Sequence, residues 1–261
     1  MKQMQSYIAE QIQKADLIRD PIDHIVIDNF LPKDFAHDLS NEFCDYDSDH
    51  WHKYSNSIEE KRTCNQWNLF KAKTYIYFQL VCSEPVNKAI SRKFDIEVEA
   101  DFGLHGGGQH IHSKMGNLNP HLDYSIHPKI GLERRLNAIY YLTDGHEEND
   151  GGHFGLWGNR SSNEPGELIK EYAPIFNRLV LFNTSQNSWH GLSRIYAPKE
   201  SRYRKSLATY YVSDPRNSSL THTRAFFAPR EHQKQNEDVI LEISRRVSET
   251  GHSSVYVTNK K

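Results

Sequence analysis

Residues 117–125, Asn117-Leu118-Asn119-Pro120-His121-Leu122-Asp123-Tyr124-Ser125, set an imidazole and a carboxylate two positions apart. In extended backbone such residues share a face, so His121 and Asp123 can aim at one point in space. Alone, this pair carries little weight in a chain with 15 His and 34 Asp and Glu, because most histidines are surface or hydrogen-bonded core groups. Its weight comes from further along. His190, in Thr184-Ser-Gln-Asn-Ser-Trp-His-Gly-Leu, supplies a third donor. Two imidazoles and one carboxylate on one face of an octahedral ion leave three positions open, the ligand pattern of non-haem ferrous oxygen chemistry.

Beyond His190 runs Arg204-Lys-Ser-Leu-Ala-Thr-Tyr-Tyr-Val, which reads as a strand. Alternation puts Arg204 and Ser206 on one face and Lys205 on the other. A planar guanidinium beside a hydroxyl suits one end of a dicarboxylate, held by two parallel charge-assisted hydrogen bonds. A register slip of one residue would exchange the faces and bring Lys205 into that role.

On these residues the chain resembles the 2-oxoglutarate and Fe(II)-dependent oxygenase superfamily, in its prolyl 4-hydroxylase-like branch. The resemblance rests on His121-x-Asp123, His190 and Arg204-x-Ser206 in the family's order. It extends to His127-Pro-Lys, Arg134-Arg-Leu-Asn-Ala-Ile-Tyr-Tyr-Leu, Gly151-Gly-His-Phe-Gly-Leu-Trp and Phe182-Asn-Thr-Ser, and spans residues 23–246. It implies Fe(II) on His121, Asp123 and His190, with 2-oxoglutarate and O2 as cosubstrates and ascorbate as a candidate accessory; His121 and Asp123 are expected at one strand end and its loop, His190 on a strand of the opposite sheet. It also implies that 2-oxoglutarate chelates the iron and sets its far carboxylate on Arg204 and Ser206. Asn137, Ile139 and Tyr141 share a strand face; by resemblance that face lines the cosubstrate pocket, Tyr141 donating its hydroxyl and Ile139 packing on the methylenes. The implied reaction hydroxylates a substrate C–H bond while 2-oxoglutarate becomes succinate and CO2. It needs no protein general base, since the cofactor carries the difficult chemistry.

A chain of 261 residues with 37% hydrophobic and 11% aromatic residues can bury a good core in one domain. We read residues 1–95 as a helix-rich flank, 96–214 as the core and 215–261 as a C-terminal extension with a helix. A net charge of −2 gives no basic footprint for nucleic acid, and no apolar run reaches membrane-spanning length. Cys44, Cys64 and Cys82 lack zinc spacing and read as small buried hydrophobes. With no signal-peptide pattern at the N-terminus, a reducing cytoplasm fits.

Apolar periodicity predicts helices over 4–18, from Pro32, over 74–81, from Ser83 to about 93, and over 237–247. Ser83 and Pro85 stand as cap and early proline of the fourth. Strands are expected at 24–28, 96–100, 135–142 and 178–183. Residues 45–68, polar with scattered aromatics, read as a long loop that can serve as a lid. Gly106-Gly-Gly-Gln lacks the Lys-Ser/Thr of a phosphate loop and marks a bulge or a close backbone approach. Short strands broken by turn residues predict a mainly β fold with flanking helices, a double-stranded β-helix (jelly roll, cupin-like).

Two other functions compete. A zinc hydrolase shares the ligand types, but the chain has no His-Glu-x-x-His and Arg204-x-Ser206 would be unexplained. A cupin-like binding or sensing module would keep the pocket without turnover. The substrate, small molecule or polypeptide, is open, as is the oligomeric state. His127, Lys129, Arg134, Arg135 and His153 lie in segments that can face it. His110 and His112 lack a third partner for a second metal.

Overall fold

A computed structural model describes residues 1–184, 187–199, 202–216 and 224–247. The first part of the chain holds helix α1 (Lys2–Lys14), strand β1 (His24–Ile27), helix α2 (Lys33–Asn41), strands β2 (His52–Ser55) and β3 (Glu59–Cys64), and helices α3 (Ala72–Val81) and α4 (Glu84–Phe94). Short strands follow: β4 (Glu99–Ala100), β5 (Gly108–His112), β6 (Asn117–Leu118) and β7 (His121–Leu122). Next come β8 (Glu133–Tyr141), β9 (Phe154–Ser161), β10 (Glu164–Tyr172), β11 (Arg178–Asn183), β12 (His190–Leu192), β13 (Arg204–Ser213), β14 (Phe226–Phe227) and helix α5 (Glu237–Val247).

The strands form two antiparallel sheets of a jelly roll. The larger runs β1-β11-β8-β13-β5-β3-β2, with β4 on β13 and β6 on β3; the smaller runs β10-β9-β12-β7-β14. Strict alternation on β8 and β13 divides the molecule into two environments. Leu136, Ala138, Tyr140, Leu207 and Tyr211 face outward and bury against Ile8, Ile12, Leu39, Phe78 and Ile90 of the helices in one apolar cluster. The opposite parity, Asn137, Ile139, Arg204, Ser206 and Tyr210, lines a cavity between the sheets. Lys205 follows the outward parity, its ammonium donating to Ser40 O at 2.9 Å.

Residues 45–68 depart from the expected loop. They contain the β2–β3 hairpin, whose turn is set by Asn56 Oδ1 accepting from Ile58 and Glu59 N–H at 3.1 and 3.0 Å. Strand β3 pairs with β5, so the hairpin widens the larger sheet. Its alternation was hidden because the inward residues, Glu59, Lys61 and Thr63, face the cavity and are polar. Gly108 (φ +91°) permits this junction: a Cβ there would lie 2.2 Å from Cys64 O.

Smaller differences have local causes. Helix α1 ends at Lys14, where Ala15 turns extended (ψ 144°), ahead of Asp20-Pro21. Residues 96–100 contribute only the two-residue β4. Ser83 and Pro85 do start α4, but the Ser83 hydroxyl donates back to Leu80 O at 2.6 Å instead of capping. Strand β14 was missed, since two residues carry no periodicity. The expected extension lies outside the described residues over 217–223 and beyond Val247. No helix among the described residues is long and apolar enough to cross a membrane.

Candidate metal centre and the cavity behind it

His121 and His190 are cross-strand partners on β7 and β12, and Asp123 follows just past the end of β7. Nδ1 of His121 lies 2.9 Å from Asn119 O, and Nδ1 of His190 lies 2.7 Å from Ser188 O. A carbonyl only accepts, so both Nδ1 atoms carry the proton and both Nε2 lone pairs are left for a metal. The two Nε2 atoms stand 3.8 and 3.6 Å from the Asp123 oxygens. All three donors are buried and mutually within 4.8 Å, and they are the only such triad among the described residues. Burial, reinforced by the His190 ring, pushes the His121 pKa down to about 3, so this imidazole is neutral. Burial acts to raise the Asp123 pKa, but His190, His121, Arg134 and the Tyr210 hydroxyl outweigh it and hold the carboxyl below its ordinary value. One anionic oxygen and two neutral nitrogens fit a divalent ion such as Fe(II).

His190 was expected from the opposite sheet; β12 instead lies between β7 and β9 in the same sheet. Strands of two or three residues carry no pattern that would assign them to a sheet. A neighbouring strand brings the rings together, with centroids 4.3 Å apart.

The surroundings of the triad include residues the sequence reading missed. Tyr210 donates to Asp123 Oδ2 at 3.0 Å, and the Arg134 guanidinium lies 3.5 Å from the Tyr210 ring centroid. Tyr210 shares parity with Arg204 and Ser206, so alternation along β13 could have found it. Phe227 stacks on His121 with centroids 4.9 Å apart. Asn119, whose carbonyl orients His121, accepts at Oδ1 from Asn117 Nδ2 and donates to Gln233 Oε1, at 2.9 and 2.7 Å. Tyr210→Phe should weaken metal affinity about tenfold, the lower end for losing an outer partner of a ligand; Mn(II) titration of wild type and variant checks this.

A cavity of about 160 Å³ runs from the triad to Arg204 and Ser206. Arg204 is 3% exposed. Its Nε donates to Gly152 O at 2.8 Å, and no carboxylate of the described residues pairs with it. Beside it, the buried Tyr196 hydroxyl and Asn137 Oδ1 lack partners, and the Tyr141 hydroxyl meets only the guanidinium itself. The guanidinium lies 5.0 Å from the Tyr141 ring centroid. The Tyr141 ring itself packs with Phe154, Val180 and Phe182, so only its hydroxyl end meets the Arg204 neighbourhood. Gly152 makes room: a Cβ would come within 2.9 Å of both Arg204 and Tyr196. A buried cation among unfilled hydrogen-bonding groups is unfavourable until an anion completes it, and a carboxylate has the matching geometry. The residues present therefore fit a dicarboxylate reaching from the metal to Arg204.

The other candidates separate. Arg134 borders the triad and donates to His105 O. Arg135 sits at the bulge where the β8–β13 register shifts, and donates to Ser213 Oγ at 3.1 Å. His127 clasps its loop, Nδ1 accepting from Lys129 and Ile130 N–H at 3.2 and 3.3 Å. His153 faces Glu148 at 3.1 Å. Lys129 lines an outer vestibule of about 580 Å³ with His52, Tyr54, His105 and Tyr124.

The buried imidazoles give the metal-free fold an acid-sensitive stability. Burial pushes His110 and His121 down to about 3 and His146 to about 4. Between pH 6.5 and those values the unfolded chain binds protons that the folded chain does not. Stability is therefore full above 6.5 and falls as pH drops, by about 1.4 kcal/mol per pH unit for each ring. Urea midpoints of metal-free protein at pH 7 and pH 5 measure the loss.

The family model described as the 2OG-Fe(II) oxygenase superfamily matches residues 108–212, the stretch from β5 through β13 that carries the triad, Arg204 and Ser206. Over that stretch the chain is similar to that superfamily. Among curated relatives, prolyl 3-hydroxylase OGFOD1 of Mus musculus is 22% identical over 228 residues, 85% of the chain and 38% of the relative. The Xenopus laevis counterpart is 33% identical over 69 residues, 26% of the chain and 14% of the relative. The chain thus spans well under half the length of either. In fold, it resembles a Pseudomonas putida prolyl-4-hydroxylase (TM-score 0.54, 16% identity, 81% of this chain and all of that one). A Trichoplax adhaerens prolyl hydroxylase, solved with a hypoxia inducible factor peptide fragment, aligns at TM-score 0.52 and 16% identity over 81% of this chain and 90% of that one.

Proposed function

We propose that this protein is a 2-oxoglutarate-dependent hydroxylase in which His121, Asp123 and His190 hold Fe(II) and Arg204 and Ser206 anchor 2-oxoglutarate. The observation that carries this reading is Arg204: a buried guanidinium without a protein carboxylate, at the end of a cavity that begins at the triad. Bound iron would supply oxygen activation, coupling decarboxylation of 2-oxoglutarate to succinate and CO2 with hydroxylation of the substrate.

The chain's own residues position and exclude. Asn119 O and Ser188 O orient the two imidazoles, and Tyr210 fixes the Asp123 carboxylate. Ile139 and Asn137 line the wall that the cosubstrate methylenes would follow, and the Tyr141 hydroxyl supports the distal carboxylate. No side chain is needed as a general base. A zinc hydrolase would leave the Arg204 pocket without a use.

The substrate enters by the vestibule. A polypeptide side chain or a small polar molecule suits its aromatic and histidine lining, and the Trichoplax neighbour's peptide complex supports the former. Ascorbate would serve only as an accessory reductant. Free thiols at Cys44, Cys64 and Cys82 support a cytoplasmic location.

The test is anaerobic addition of Fe(II) and then 2-oxoglutarate to the purified protein. A visible metal-to-ligand charge-transfer band should appear, and admitting air should yield succinate. Absence of both, or zinc-supported hydrolysis without iron-dependent turnover, overturns the reading.

A further inference from the structure

Strand β5 sends two histidines into the cavity wall, and their situations differ. His110 has a partner, its Nε2 lying 3.3 Å from Gly107 O. His112 is 2% exposed, and neither of its ring nitrogens has one. Buried polar side chains almost always find a partner, so an imidazole with both nitrogens unmet at a cavity wall calls for a ligand. That ligand is not a second metal: no further triad of ligating atoms occurs among the described residues.

Its position indicates what the ligand offers. His112 is the cross-strand partner of Arg204, and directly opposed residues project from one face of a sheet. The ring is also fixed in place. A Cβ on Gly116 would lie 2.6 Å from His112 Cβ, and Gly116 bridges to Tyr196, which packs with Arg204 against Gly152. His112 and Arg204 therefore stand together in the cavity wall, with Tyr196 packed behind them. Burial, and then the nearby Arg204 and Lys61, disfavours a charge on this ring; a neutral imidazole offers one N–H donor, which suits an acceptor-only carboxylate.

Resting on the oxygenase reading, we propose that His112 is a second anchor for the cosubstrate: its ring N–H donates to the distal carboxylate that Arg204 pairs with, so that β5 and β13 grip this group together. Two donors on adjacent strands fix the depth of the carboxylate. They make the pocket selective for a five-carbon 2-oxo diacid over the four- and six-carbon ones.

Calorimetry on Mn(II)-loaded protein, which measures binding without turnover, tests this with 2-oxoglutarate, oxaloacetate and 2-oxoadipate. His112→Phe should weaken 2-oxoglutarate binding roughly ten- to a hundredfold, as for loss of a hydrogen bond to a charged group. It should narrow the chain-length preference and leave Mn(II) affinity unchanged, whereas His112→Gln, which keeps a donor, should bind within about fivefold of wild type. Binding of 2-oxoglutarate by His112→Phe within about twofold of wild type, with preference intact, overturns the proposal. Arg204→Ala separates the two readings: if it too binds normally, the cosubstrate pocket itself is wrongly assigned, and if it alone fails, only the role of His112 falls. Should His112→Phe not fold, nitrogen-15 histidine spectra of the Zn(II)-loaded wild type decide. A His112 N–H resonance must shift on adding 2-oxoglutarate, and an unmoved resonance sinks the proposal.

Discussion

Asp123→Ala protein should form no measurable succinate and should lose the thermal stabilisation that Fe(II) or Mn(II) gives the wild type. Asp123 is the one anionic donor of the triad, and Tyr210 points its hydroxyl at the same carboxylate. Removing it leaves two neutral imidazoles and a stranded hydroxyl, so the loss of metal affinity should exceed the 10–100-fold typical of an outer partner. At a metal concentration about 100 times the wild-type Kd, binding stabilises the fold by about 2.7 kcal/mol. For a chain of this size that corresponds to roughly 5–10 °C in Tm. Asp123→Asn separates charge from packing, because its amide oxygen can still accept from Tyr210. The metal-dependent shift should vanish in both variants while the metal-free melting temperature of Asp123→Asn stays close to wild type. A metal-induced shift of undiminished size in Asp123→Asn would remove Asp123 from the ligand set.

Arg204→Met should change two quantities in opposite directions. Truncating one partner of a buried, hydrogen-bonded charge pair costs about 2–5 kcal/mol, so affinity for 2-oxoglutarate should fall roughly 30- to several thousandfold. In ligand-free protein, however, the guanidinium is buried with no carboxylate beside it, and replacing an uncompensated charge by an apolar side chain of similar length is neutral or stabilising. Melting temperature without ligand should therefore hold or rise, while the shift produced by 2-oxoglutarate disappears. A cation serving only to hold the fold would lose both. Arg204→Lys is not a mild change, because a point charge cannot reproduce the planar fork. It should recover only part of the affinity.

The opposed behaviour of Arg204 reflects a general feature of the inner sheet face. Along β13 the outward residues bury apolar surface against the helices, and the inward ones, Arg204, Ser206 and Tyr210, carry the polar groups a ligand would complete. A position built to receive a ligand is expected to cost stability until the ligand arrives.

From sequence alone, the local facts were determined. The two-residue spacing of His121 and Asp123 is read directly, and the division of Arg204 and Ser206 from Lys205 and the shared face of Asn137 and Ile139 follow from alternation within one strand. Helix α5 followed from its 3.6-residue period. What only the tertiary structure decided is which strands lie side by side. Long-range pairing brought His190 next to His121 in one sheet, set Tyr210 against Asp123 and His112 beside Arg204, and turned residues 52–64 into a hairpin on the larger sheet. The physical reason is common to all four. Alternation reports which face a residue takes within its own strand, never which strand lies beside it, and where the inward residues meet a polar cavity, as Glu59, Lys61 and Thr63 do, the strand itself reads as a loop.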